Sequence, residues 1–536
     1  MNKYVRKLFG VVFQSQQASL VVSGQTQHSP TSPEEWRQHW QLQGQFWRTE
    51  PEIDVKRQEE LNRHRAIIPD IEKGVYPFRG MKLSRADIEW LLATHENGRG
   101  PVDWNNEDQW KREGLDLRGA DLRGENLAAL PLSGMLGSLN EKERGSTTEQ
   151  QSDMARVYLE HADLTETHLE RSILIEVHLE KAKLTMAHLG GSHLLKAHME
   201  RVILYGADAK QCDLKGAHLE GADLRFAHLE HALLRSAQLY AADVQKANLQ
   251  NADLRWAHLA ATRFSNAHLE GANLEWAHLE GLELSSNYLA SLRQWMPGFS
   301  ATLLPADLSE IFFDTTTIFK QMTLGNKKLG FVSLADVHWG GVSLTATNWV
   351  QMKLLGDEQL LHQQKWQRGK GKTEQQNLRR YQLTLYQRAV RANRQLAVVL
   401  EEQGLNEDSA RFAFRAQRLQ RKVLWKQREF GKWVFSFILA LLAGYGYRMW
   451  HILVAYLFIV LLCAVAYFVL GMYYEPHLSF LEAVLTSITA FHGRVFSEPF
   501  LQPGDPQLWV TAFEAVAGLV IEGVFIAMLT QKFFGK

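Results

Sequence analysis

The chain has 536 residues, and its 59 Lys plus Arg balance 59 Asp plus Glu, so it has room for three or four domains and no surplus of either sign. Its two cysteines, Cys212 in a repetitive segment and Cys463 in an apolar run, sit in environments too different to pair. That excludes a disulfide framework and a Cys-based zinc site and fits a reducing compartment.

Residues 1–29 read as a flexible N-terminus. Lys3, Arg6 and Lys7 are followed only by the short apolar run Leu8 to Phe13 and then by polar Gln14 to Gln17, which is too short for a secretory signal. Residues 30–112 are predicted to form a helical cap. Pro33 to Arg65 is rich in Trp and charge at helical spacing, and Ser84 is placed as the N-cap of a short helix running to His95. A solenoid needs such a cap at an open end.

A solenoid is expected because Val157 to Ser286 reads as twenty-six consecutive five-residue units. In Ala217-His218-Leu219-Glu220-Gly221-Ala222-Asp223-Leu224-Arg225-Phe226 a small residue precedes a polar one, then Leu, then two free positions. Neither the helical period of 3.6 nor the strand period of 2 fits, so the chain must turn every five residues. Four units close a square coil of twenty residues with the small residue and Leu inside. Coils rise by about 4.8 Å, so the run spans about 31 Å. One earlier coil is visible at Leu115-Asp116-Leu117-Arg118-Gly119-Ala120-Asp121-Leu122, and the pattern returns weakly at Ala306-Asp307-Leu308 and Ala335-Asp336-Val337. The solenoid is therefore placed at 113–350, with a loop insert at 135–156. The unit resembles the pentapeptide-repeat proteins over about a third of the chain. The resemblance implies a right-handed quadrilateral β-helix used as a spacer or docking surface, with a cytosolic protein partner on its outer faces. An acidic subgroup of that family mimics DNA, which the balanced charge here argues against.

Outward histidines recur every twenty residues. His178, His198, His218, His258 and His278, interrupted by Gln238, form one column; His168, His188, His228 and His268, with Asp208 and Asn248, form another on the opposite face. A linear ladder presents no tetrahedral ligand set, so no metal and no cofactor is assigned. The primary reading is a structural ladder in which each His bonds the Glu two residues on, as in His218-Leu219-Glu220. The second reading is a pH-sensing ladder: stacked imidazoles resist charging until pH falls below about 6.5 unless the Glu offsets it.

After a linker at 351–372, residues 373–430 are predicted to form a helical hairpin, broken at Gly404 and resumed after Asn406. From Lys365 to Lys432 there are 17 Lys plus Arg against 6 Asp plus Glu. The segment lacks interleaved stacking aromatics and any nucleic-acid motif, so no nucleic acid is expected. It reads as a cytoplasmic flank facing anionic membrane lipids. Residues 431–449 are assigned to an interfacial helix and a turn at Gly444-Tyr445-Gly446; the turn precedes the first membrane helix and so is not a filter.

Membrane helices are placed at 450–471 and 508–530. Residues 472–507 between them are assigned to the outside, and 531–536 to a cytoplasmic tail. Within the connection, Ser479 to Thr489 reads as a short amphipathic pore helix with Ser479 and Glu482 as a capping box. A filter-like loop follows, Thr489-Ala490-Phe491-His492-Gly493-Arg494. This arrangement resembles the two-transmembrane ion channels of the potassium-channel superfamily over Tyr445 to Lys536. It departs from the family at the loop, where one glycine is missing and Arg494 stands at or beside the filter and would repel cations unless paired with Glu498 or Glu475; strong potassium selectivity is not expected. Glu522 lies mid-membrane, where an ionisable side chain faces a pathway or a contact such as Arg448. Glu514, nearer the outer end, is assigned to the outer pore or to packing. A ring of Glu522 favours cations and a ring of Arg494 favours anions, so ion sign does not follow.

The combined reading is a homotetrameric, multi-pass protein of the cell membrane with both termini cytoplasmic, conducting ions through a non-potassium-type filter under a cytosolic solenoid. The alternative is a membrane-anchored scaffold with a non-conducting module. No catalytic arrangement is found, so no enzymatic activity is expected.

Overall fold

The computed structural model describes residues 30, 32–280, 286–296, 305–319, 324–326, 330–347, 349–352, 354–363, 372–443, 450–474, 477–494 and 505–534. The N-terminal 29 residues, the Gly444-Tyr445-Gly446 turn, Arg448, Glu475 and Glu498 lie outside the described residues.

The N-terminal cap is built mainly on α1 (Pro33–Leu42), α2 (Val55–Arg65) and α3 (Arg85–Ala93), started by Ser32, Asp54 and Ser84. Each starting side chain accepts a hydrogen bond from an otherwise unpaired first-turn N–H. Leu61, Leu83, Ile88 and Leu91 join the same core as the first solenoid leucines. Buried Glu89 ties the cap together, accepting from the Thr49 and Glu50 amides and from Arg85.

In the solenoid, each polar residue bridges its counterpart one coil on, as in His178 with His198 and Asp223 with Asp243. The Leu159 and Leu179 amides donate to the His178 and His198 carbonyls at 2.9 and 2.7 Å. Only one residue per side can bridge before the next turn. The expected solenoid of twenty-residue coils is present, joined by isolated parallel bridges rather than by regular strands. Each turn holds its fifth residue in the left-handed region, with φ of 61° at His161, 57° at Glu166 and 55° at Arg171. For a residue with a Cβ that costs about 1 kcal/mol, offset by burial of the inward Ala and Leu, which are close to fully buried throughout.

The loop insert expected at 135–156 starts later and is not a loop. Leu136 still bridges Ile173, so the coil continues, and the excursion folds into α4 (Glu141–Arg144) and α5 (Glu149–Ala155), each with its own capping box. A second excursion carries α6 (Ser286–Trp295), after which the chain rejoins the stack where Arg263 bridges Asp307. The last, irregular coils include a two-residue antiparallel pair, β1 (Gly325–Asn326) with β2 (Gly330–Phe331).

The segment expected as a linker holds α7 (Gly356–Gln363). The hairpin consists of α8 (Lys372–Glu402) and α9 (Asn406–Gln427), and it closes the second end of the solenoid. Leu396, Leu400 and Phe412 enter the solenoid core. Arg388 donates to buried Asp357 at 2.9 Å and to Asp307 at 3.2 Å, Arg391 pairs with Asp336 at 2.9 Å, and the Gln403 carbonyl oxygen caps the free Leu344 amide at 2.7 Å. Arg388 and Arg391 of the basic hairpin thus pair with solenoid carboxylates. Beyond it come α10 (Phe430–Ala443), α11 (Trp450–Tyr473), α12 (Phe480–Phe491) and α13 (Pro506–Phe534). Within α11 and α13, His451–Tyr473 and Pro506–Thr530 are long and apolar enough to cross a membrane.

Candidate functional site

The short helix α12 rests against both α11 and α13. Ser479 and Glu482 form the expected capping box at its start. Its inner face is pinned by polar contacts: the Ser487 hydroxyl donates to the Val460 carbonyl at 2.8 Å and also meets the Glu514 carboxylate. Nearby, the Tyr467 hydroxyl donates to Thr511 at 3.0 Å. Glu514 is fully buried among these groups, which places it in the seam between helices and not at an outer mouth. At the other end, Phe491 stands edge-on to Tyr456 at 4.8 Å and presses on Gly518 of α13.

The six-residue filter-like loop is shorter than the sequence suggests. Thr489, Ala490 and Phe491 are the last turn of α12; Ala490 and Phe491 are buried, and the Thr489 hydroxyl bonds back to the Leu485 carbonyl. His492, Gly493 and Arg494 leave the helix through a tight turn, with Gly493 at φ 68°. The Gly493 and Arg494 amides donate to the Ala490 and Thr489 carbonyls at 3.0 and 2.9 Å. His492 Nδ1 lies 2.5 Å from Glu522 Oε1, each side chain about half exposed. Glu522 thus meets the loop itself, a pairing that sequence reasoning missed because thirty residues separate the two. Arg494 is exposed and makes no ion pair among the described residues.

The two histidine columns form as spaced. Rings stack nearly parallel at 4.7 Å for His178 and His198, 5.0 Å for His198 and His218, 5.0 Å for His258 and His278, and 4.5 Å for His168 and His188. Tyr158 extends the first column, and Phe312 and His338 extend the second. Nδ1 of His168, His178, His268 and His278 reaches the Glu two residues on at 2.9 to 3.3 Å. The Glu170 hydrogen bond raises His168 above the ordinary histidine value against burial. Burial pulls His178 and His218 down, but Glu180 and Glu220 outweigh it and both stay raised. His258, with Ala260 where His168, His178 and His218 have Glu, is lowered by burial and by the charge of His278.

These features define a solenoid of five-residue coils, capped at both ends and joined to two helices of membrane-crossing length. Residues 152–189, 182–221, 217–255 and 247–285 match the family described as pentapeptide repeats (8 copies), so this part of the chain is an array of pentapeptide repeats. Similar solved structures include HetL, a pentapeptide repeat protein involved in heterocyst differentiation regulation from the cyanobacterium Nostoc sp. strain PCC 7120. It is 20% identical over 46% of this chain and 99% of that chain, with a TM-score of 0.22. QnrB1, a plasmid-mediated fluoroquinolone resistance protein, is 17% identical over 34% of this chain and 84% of that one, with a TM-score of 0.21. Rfr23 from the cyanobacterium Cyanothece 51142 is 23% identical over 28% and 85%, with a TM-score of 0.10. No curated protein matches the chain.

Proposed function

We propose that the chain is one subunit of an oligomeric ion-conducting protein of the cell membrane, both termini cytoplasmic, in which a cytosolic pentapeptide-repeat solenoid gates or scaffolds a non-potassium-type pore. The observation that carries this reading is α12. At 12 residues it reaches about 18 Å, too short for roughly 30 Å of hydrocarbon, yet it is wedged between two helices long enough to cross. A short helix returning through a loop against a second helix is what a re-entrant pore requires. One copy encloses no pathway, so symmetry about an axis, a homotetramer, completes it. His492, Gly493, Arg494 and Glu522 are the residues that would meet permeant ions. The hairpin that closes the solenoid leads into α10, so movement of the solenoid would act on α11 and α13 through that helix. Anionic lipids would meet the remaining basic residues of α9, and a cytosolic partner would dock on the solenoid faces. The chain is proposed to have no enzymatic activity.

A second reading, a membrane-anchored scaffold, is favoured by one observation. The Thr489 and Ala490 carbonyls, which a carbonyl filter would turn toward ions, accept backbone hydrogen bonds instead. Planar-bilayer recording of the purified chain in asymmetric KCl separates the two. Current carried by a confirmed oligomer supports the pore; silence at every pH and voltage in that sample selects the scaffold.

A further inference from the structure

We infer that His178, Glu180, His198 and Glu200, on the solenoid face covered by α6, form a binding site for a divalent first-row transition metal ion such as Zn²⁺. Counted alone, stacked histidines do not converge on an ion. The glutamate two residues on changes this, because it brings a carboxylate from each coil to the Nδ1 edge of the rings. Ligand atoms of His178, Glu180 and His198 all lie within 4.8 Å of one another. His178 Nδ1 is 3.0 Å from Glu180, and His198 Nδ1 is 4.0 Å from Glu200. Mixed imidazole and carboxylate donors suit zinc and its neighbours, and His178, Glu180 and His198 supply three that converge, with Glu200 adjoining through His198.

Several solenoid glutamates carry an unpaired oxygen, and at Glu180 that oxygen belongs to a carboxylate set beside two stacked histidines. The Glu180 side chain is 2% exposed, yet its Oε2 has no hydrogen-bond partner, and the Oε2 of buried Glu200 has none either. A buried carboxylate oxygen left unpaired is costly and calls for a bound cation or water. His198 makes no side-chain hydrogen bond among the described residues, so its Nδ1 is also uncommitted. The opposite face supplies an internal comparison: His168, Glu170 and His188 are arranged alike, but Glu170 is satisfied by His168 at 2.9 Å and by the Ser133 hydroxyl at 2.7 Å. One coil further on, Tyr288 of α6 donates to Glu220 Oε1, which commits one oxygen of that carboxylate and leaves its Oε2 unpaired. Ring planes 6° from parallel keep the in-plane lone pairs apart. Closing on an ion at about 2.0 to 2.2 Å therefore requires one ring to tilt out of the stack. His198, with no hydrogen bond to lose, is the ring that tilts.

The test uses the full chain in detergent, stripped with a chelator and then exposed to Zn²⁺ alone, with retained zinc measured after dialysis. Co²⁺ is substituted to give visible absorption from a tetrahedral centre. His198→Gln reproduces the residue this column already holds at Gln238, and Glu180→Gln keeps the side-chain shape, so both variants should fold. The expected result is one tightly held zinc in the native protein, bound at least tenfold more weakly by either variant and unchanged in His188→Gln and Glu170→Gln. No retained zinc in the native protein, or equal losses on both faces, would overturn the site.

Discussion

Gly518 of α13 lies directly under the carbonyl of Phe491, the last residue of α12: a Cβ at position 518 would sit 1.8 Å from the Phe491 oxygen. The glycine is needed for close approach rather than for backbone freedom, since only a hydrogen fits between the two helices.

Gly518→Ala should therefore push α12 away from α13. Overpacking of this kind costs about 1–3 kcal/mol, and here the clashing atom is backbone that cannot rotate aside. The expected outcome is a lower thermal midpoint of the protein in detergent and faster proteolysis of the α12 to α13 connection. An unchanged midpoint would mean the helices do not meet this way.

Glu522→Gln removes the charge that faces His492. If the loop lines a conduction path, loss of one carboxylate per subunit should move the reversal potential toward chloride. An interaction of about 1 kcal/mol in a water-filled path changes relative permeability about fivefold. Identical reversal potentials for variant and native protein would remove Glu522 from the path.

Arg388 holds the hairpin to the solenoid through Asp357 and Asp307. Arg388→Ala leaves buried Asp357 without its cation, and for a partly exposed arginine a loss of about 2 kcal/mol is expected, below the 3–5 kcal/mol of a fully buried pair. Burial pushes the Asp357 carboxyl up to about 6. Its folded value exceeds its unfolded one, so its contribution to stability falls as pH rises from about 4 to 6 and then levels off. Asp336, held down by Arg391, acts in the opposite sense: its contribution is present above the ordinary aspartate value and is lost on acidification. Denaturant midpoints from about pH 2 to 7 should show Asp357→Asn abolishing the first slope while sparing the second, which falls below about pH 4.

Glu170→Gln should lower the pKa of His168. The native His168 is raised, so its stabilisation is complete below about 6.5 and fades as pH climbs through its folded value. His258, lowered beside Ala260, loses stability instead as pH falls through about 6.5. Histidine NMR titration of the two proteins measures the first shift directly; an unmoved His168 would show that Glu170 does not hold its proton.

The five-residue rule made the solenoid legible because the same two inward residues recur in every coil, and the histidine columns followed from counting by twenty. Ser84 and Ser479 could be read as helix starts because capping is local chemistry. What failed to show was set by contacts distant in sequence. The insert at 135–156 looked like a loop, but two capping boxes make helices of Glu141–Arg144 and Glu149–Ala155. Arg388 and Arg391 looked like membrane-facing charge until Asp357, Asp307 and Asp336 came within reach. The loop was overestimated because Thr489 to Phe491 have compositions that suit either a filter or a helix end, and only the packing of Phe491 against Gly518 decides between them. His492 and Glu522 were each noticed, but nothing in the sequence couples them.

The two caps of the solenoid carry a consequence for how copies can meet. An open coil end offers a fringe of amides and carbonyls to any other open end, so a bare array could lengthen without limit by adding molecules head to tail. Here Glu89 and its helix occupy one end, and Gln403 and Phe412 occupy the other. The rod is thereby a part of fixed length, and copies of it must meet side by side or through the helices that follow it.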